Sequence, residues 1–155
     1  MNEVFGSLWL FEESFGSSPP DGLKERTTRD SRMASPKILV VDDEQIIADT
    51  ICEILASAGF EVAVAYDGWE AVEKAAKFKP DQLLSDVKMP HMNGVELAMA
   101  IRRMYPSTKI LLFSAQVGVF NLLLDAEKQG FHFQVLAKPI HPSDLIERLK
   151  RNEKG

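Results

Sequence analysis

From Pro36 onward the chain alternates between short unbroken apolar runs and stretches whose apolar residues recur every three or four positions. Lys37 to Val41 is apolar and β-branched almost throughout, the mark of a strand covered on both faces. Gln45 to Ala58 carries Ile46, Ile47, Ile51, Ile54 and Leu55 at helical spacing and stops at Gly59, a residue suited to a helix C-terminus. Glu61 to Ala65 reads as a second strand. Asp67 and Glu70 stand in the acid-x-x-Glu relation of an N-cap, so a helix follows to about Phe78. The same reading predicts strands over Gln82–Ser85, Lys109–Phe113 and Gln134–Ala137. Helices are predicted over Val95–Met104, within Val117–Gln129, and over Ser143–Arg151.

Five strand-then-helix units imply an α/β fold: a doubly wound, five-stranded parallel sheet with helices on both faces and right-handed crossovers. Ligands of such sheets bind beyond the carboxyl ends of the strands, near the point where strand order reverses. The residues that end the strands therefore matter most for function.

Residues 1–35 differ from the rest. Val4 to Phe11 is apolar but flanked by acids, with no basic run before it, which excludes a secretory signal. Gly16 to Pro36 is rich in Ser, Pro, Gly and alternating charge and cannot bury enough surface to order itself. A disordered or flexible extension over 1–35 and a folded domain over 36–152 are expected. Met33 offers a second possible start of translation, and Trp9 with Phe11 a short docking helix.

The net charge of −5 argues against a nucleic-acid surface, because phosphate binding needs a basic face. No stretch approaches the roughly 18 apolar residues of a membrane span. The single cysteine, Cys52, excludes an internal disulfide, fits a reducing, cytoplasmic setting, and sits in the apolar pattern of a helix as a core residue.

The strands end in Asp42-Asp43, Asp86, Ser114 and Lys138-Pro139, far apart in sequence but converging on one rim. Clustered carboxylates raise one another's pKa and destabilise the site unless a cation neutralises them. A hard divalent ion such as Mg²⁺ suits oxygen ligands of this kind. A metal beside a further carboxylate, a lysine and a hydroxyl suits phosphoryl transfer, with Asp86 as nucleophile and Lys138 and Ser114 contacting the transferring group.

Each residue also has a plainer reading. Asp42-Asp43 could cap the first helix, Asp86 could be a turn residue, Lys138 a surface lysine and Ser114 an ordinary turn serine. His91, His132 and His141 read as loop residues, since none has a second His or Cys at ligand spacing. Trp69 reads as packing or surface. Leu122-Leu123-Leu124 is core, or core with contact surface.

The segments ILVVDDE (38–44), DVKMPHMNG (86–94), LLFSA (111–115) and LAKPI (136–140), in this order, resemble a response-regulator receiver domain of two-component signalling, of the free-standing, flavodoxin-like (βα)5 type. The resemblance implies that Asp86 is the phosphoacceptor, charged by a sensor histidine kinase or phosphotransfer protein in a phosphorelay. It implies that Asp43 binds Mg²⁺ directly, that Asp42 does so directly or through water, and that Lys88 contributes its backbone carbonyl. Ser114 would follow the phosphoryl group, Lys138 would pair with it, and the Lys138–Pro139 peptide would be cis. A domain of this class catalyses only its own phosphorylation and dephosphorylation. It signals through a docking surface to a downstream protein, or as a homodimer through the last two helices and last strand.

One departure stands out. The family's switch aromatic, three residues before the lysine, is here Val135, with Phe133 two positions further back. That keeps open a second class, a receiver-like adaptor that works without phosphorylation. A third class, a phosphatase with an aspartyl nucleophile, would place an acid two residues after Asp86; Lys88 stands there instead.

Overall fold

A computed structural model describes residues 35–115 and 117–154. The expectations for the N-terminal extension, the Trp9–Phe11 helix and the Met33 start lie outside the described residues. Five strands, β1 (Lys37–Val41), β2 (Glu61–Ala65), β3 (Gln82–Asp86), β4 (Lys109–Ser114) and β5 (Gln134–Ala137), alternate with five helices. These are α1 (Gln45–Ser57), α2 (Gly68–Phe78), α3 (Gly94–Met104), α4 (Phe120–Lys128) and α5 (Pro142–Lys154). All strands are parallel and the sheet order is β2-β1-β3-β4-β5. This is the expected doubly wound, flavodoxin-like fold.

Burial follows the helices that cover the sheet. The apolar runs of β1, β2, β3 and β4 are buried almost end to end, as strands covered by helices on both faces are, and this holds even for β2 at one edge of the sheet. β5, at the other edge, is half exposed. The chain runs from β1 out to β2 and then crosses back to β3 on the other side of β1. The switch in direction therefore opens a crevice at the carboxyl ends of β1 and β3.

Strand ends differ from the predicted ones by a single residue where pairing carries the ladder further. Asp86 pairs with Phe113, and Ser114 with Ala137, so both belong to strands rather than to the loops beyond. The fourth helix begins with a 3₁₀ turn, Val117–Val119, before the α-helix proper; Val119 offers no side-chain cap. Pro142, whose fixed φ suits a first helical turn, starts α5 one residue early.

Two devices place the loop between β3 and α3. Asn93 and Glu96 form a reciprocal capping box, each side chain accepting the other's backbone N–H, at 2.8 and 2.9 Å. Gly94 then donates to Val87 O at 2.8 Å, folding the loop back onto β3. A Cβ at Gly94 would overlap the carbonyl oxygen of Asp86 and come within 2.8 Å of Val87 Cα, both backbone atoms that cannot swing aside. Gly94→Ala is therefore expected to destabilise the fold by about 1–3 kcal/mol, measured by urea unfolding. A loss below ~0.5 kcal/mol would show that the close approach is not needed.

Candidate functional site

The crevice holds the residues that the strand ends deliver. Asp42 follows β1 and is wholly buried; its N–H extends the ladder to Ala65 O at 3.2 Å, and its Oδ1 accepts Glu44 N–H at 2.9 Å. Neither acid caps the first helix; the bond from Glu44 N–H to Asp42 closes a local turn just before it. Glu44 occupies the N-cap position of α1 and makes no side-chain cap. Asp43, beside it, is exposed. Asp86 ends β3 and is buried, its Oδ1 accepting Val87 N–H at 3.0 Å.

Lys138 reaches this pair from the far side. Its backbone N–H continues β5 by donating to Ser114 O at 2.9 Å, and its peptide to Pro139 is cis, as expected. Its Nζ lies 3.3 Å from Asp42 Oδ2 and 3.3 Å from Asp86 Oδ1. Ser114 is buried at the end of β4, next to Lys138 across the ladder. Lys88 is exposed two residues beyond Asp86. It is among the residues lining a cavity of about 240 Å³ beside Val87, Asn93 and Leu122. Asp42, Asp43 and Asp86 each present a carboxylate oxygen within 4.8 Å of the others.

Burial pushes the carboxyl groups of both Asp42 and Asp86 above the ordinary aspartate range. Asp42 is raised further by the nearby Asp86, and Asp86 by Asp43, while Lys138 pulls both down. The net rise means that one ammonium does not offset desolvation and mutual repulsion. Three carboxylates against one ammonium leave two negative charges, which one divalent cation matches. The donors are all carboxylate oxygens with an open, exposed side at Asp43, which fits a hard ion such as Mg²⁺ and not a thiolate- or imidazole-seeking metal.

The three histidines lie outside this cluster. His91 is exposed in the β3–α3 loop, in the left-handed region at φ 68°. His132 pairs with Glu127 at 3.8 Å. His141 does more than a loop residue, since its Nδ1 accepts Ser143 N–H at 3.2 Å at the start of α5. Cys52 is buried and its thiol is pushed up to about 12, as an inert core residue's would be. Trp69 is exposed. Asn93 and Gly94, which the sequence already marks as part of a shaped loop after Asp86, shape it through the capping box and the close approach to β3. Phe113 escaped the sequence reading; its ring centroid lies 4.5 Å from Lys138 Nζ.

The model of the response regulator receiver domain family matches residues 38–150. The chemotaxis protein CheY of Thermotoga maritima is 36% identical over 119 residues, 76% of this chain and 98% of that protein. The transcriptional regulatory protein PrrA of Mycobacterium tuberculosis is 33% identical over 121 residues, 78% of this chain but 51% of its own length. Among solved structures, chemotaxis protein CheY4 of Vibrio cholerae superposes with a TM-score of 0.68 at 36% identity, covering 76% of this chain and 98% of that one. A CheY-like receiver domain from Methanospirillum hungatei gives 0.69 at 28% identity, covering 77% and 94%.

The raised carboxyl groups fix a pH dependence. A folded-state pKa above the unfolded value means that the folded protein holds more protons between the two, so metal-free stability falls as pH rises out of the ordinary aspartate range. A divalent cation binds the deprotonated cluster and offsets that loss. Mg²⁺ at a hundredfold excess over its dissociation constant is expected to add about 2.7 kcal/mol at pH 7, and clearly less at pH 4.5, in thermal melts against EDTA. Equal shifts at both pH values would contradict the assignment.

Proposed function

The chain belongs to the response regulator receiver family, and on that premise we propose that it is a cytoplasmic two-component response regulator phosphorylated on Asp86. The observation that carries the reading is the single ammonium of Lys138 at 3.3 Å from both Asp42 and Asp86, inside a cluster of three acids. Asp43, Asp42, Asp86 and the carbonyl of Lys88 would hold Mg²⁺, which would supply charge neutralisation for the acids and for the non-bridging phosphoryl oxygens.

The chain's own residues then have distinct roles. A carboxylate oxygen of Asp86 attacks the phosphorus of a phosphohistidine on a sensor kinase or phosphotransfer protein. The P–N bond breaks, an acyl phosphate forms, and the freed imidazole takes up a proton. Lys138, already beside Asp86, meets the developing negative charge without having to reorganise. Ser114, buried on the next strand, donates its hydroxyl hydrogen to a phosphoryl oxygen. Release of the group to water returns Asp86 to its starting state, so no separate substrate is turned over.

The added charge would shift Lys138 and Ser114 at the ends of β5 and β4, and a partner would read the change on the face formed by α4, β5 and α5, the face through which two copies could also pair. Val135 favours a second reading, a receiver-like adaptor that works without phosphate. It is half-buried, faces Leu112 across the ladder, and brings no aromatic ring to this strand.

Incubation with acetyl phosphate and Mg²⁺ distinguishes the two by intact mass. Wild type is expected to gain one phosphoryl group, Asp86→Asn none, and Lys138→Ala to react roughly 10²–10³ times more slowly. No gain by wild type from acetyl phosphate or from a panel of sensor kinases would favour the adaptor.

A further inference from the structure

The five strands, KILVV, EVAVA, QLLSD, KILLFS and QVLA, contain one aromatic residue, Phe113. Phe113 is the register partner of Asp86, and directly paired residues project from the same face of a sheet. Its carbonyl accepts Val87 N–H at 3.1 Å, which fastens the end of β3 to β4. Its ring lies against the ammonium of Lys138, 4.5 Å from centroid to Nζ.

We propose that Phe113 is a positioning residue for phosphoryl transfer, its ring face holding the Lys138 ammonium in place between Asp42 and Asp86. The inference rests on the reading of Asp86 as phosphoacceptor. A lysine ammonium carries three N–H groups on a flexible four-carbon stem, and rotamer freedom is its main weakness as a fixed charge. The two carboxylates, each at 3.3 Å, restrain it from one side. The electron-rich ring face restrains it from another, by an attraction that directs without neutralising. The Lys138 side chain is only 18% exposed, so water screens that attraction little.

Packing alone does not require a ring at this position. The preceding residues of β4, Ile110, Leu111 and Leu112, fill their share of the core with aliphatic groups. Phe113 and Lys138 instead share the wall of a cavity of about 530 Å³ with Ile47, Ile51 and Leu84. An aliphatic residue at 113 would keep that wall apolar but would offer the ammonium no negative face.

Phe113→Leu removes the ring and Phe113→Tyr keeps it. With acetyl phosphate and Mg²⁺, Phe113→Leu is expected to be phosphorylated about 3- to 10-fold more slowly, with Phe113→Tyr within about twofold of wild type. Ile101→Val, a buried change in α3, serves as a control that lowers stability without slowing phosphorylation. In NMR spectra of the unphosphorylated proteins, the Lys138 side-chain signals should be shifted upfield by the ring in wild type and Phe113→Tyr, and return to ordinary lysine positions in Phe113→Leu. A Phe113→Leu protein that reacts at the wild-type rate, or leaves the Lys138 signals unmoved, overturns the proposal. A wild type with upfield-shifted Lys138 signals that accepts no phosphoryl group overturns the phosphoacceptor reading instead, and with it the role of the contact in transfer.

Discussion

Lys138 stands between two carboxylates that the fold has taken out of water. Removing charge from water costs several kcal/mol per ion, and the attraction of one ammonium offsets only part of that for two acids. The arrangement persists because the sheet leaves no alternative. Asp42 is pinned by the β1–β2 ladder and Asp86 by pairing with β4. Lys138 is delivered by the hydrogen bond from its backbone to Ser114. Each strand is stable for reasons of apolar burial that have nothing to do with the site. Their combined burial supports a cluster of carboxylates whose desolvation and mutual repulsion one ammonium offsets only in part.

That division of labour explains what could be read in the chain and what could not. The apolar runs and helical spacings of residues 37–151 report burial, which is a local property of the sequence, so the five units and their parallel sheet were legible. So were the acids and Lys138, because charged residues directly after apolar runs have no packing role to explain them. Contributions that depend on distance across the fold were not legible. That Asn93-Gly94 belongs to a shaped loop was legible, but not the reason for a glycine: the Asp86 carbonyl occupies the space a Cβ would need. Phe113 looks like a core residue until Lys138 is found against its ring. The one-residue extensions of β3 and β4 likewise come from cross-strand partners, not from the extended segments themselves.

The comparisons place this chain among receiver domains both of chemotaxis proteins spanned over nearly their whole length and of transcriptional regulators spanned over about half. The shared part is the receiver domain over residues 38–150. In this chain an aromatic on β4 lies against the lysine, and a valine sits on β5. A switch needs an element with two arrangements that the phosphoryl group biases differently. The ammonium is well suited to that part, since it already divides its contacts among two acids and a ring.

Mn²⁺, a paramagnetic stand-in for Mg²⁺, offers the most direct measurement of whether the acidic rim is a metal site. Titrated into isotope-labelled protein, it should broaden the backbone signals of residues 42–44, 86–88 and 114–115 first and most strongly, and Asp43→Asn should abolish the effect. Broadening that begins elsewhere on the acidic surface, or that survives Asp43→Asn unchanged, would mean that the three carboxylates do not gather around a cation.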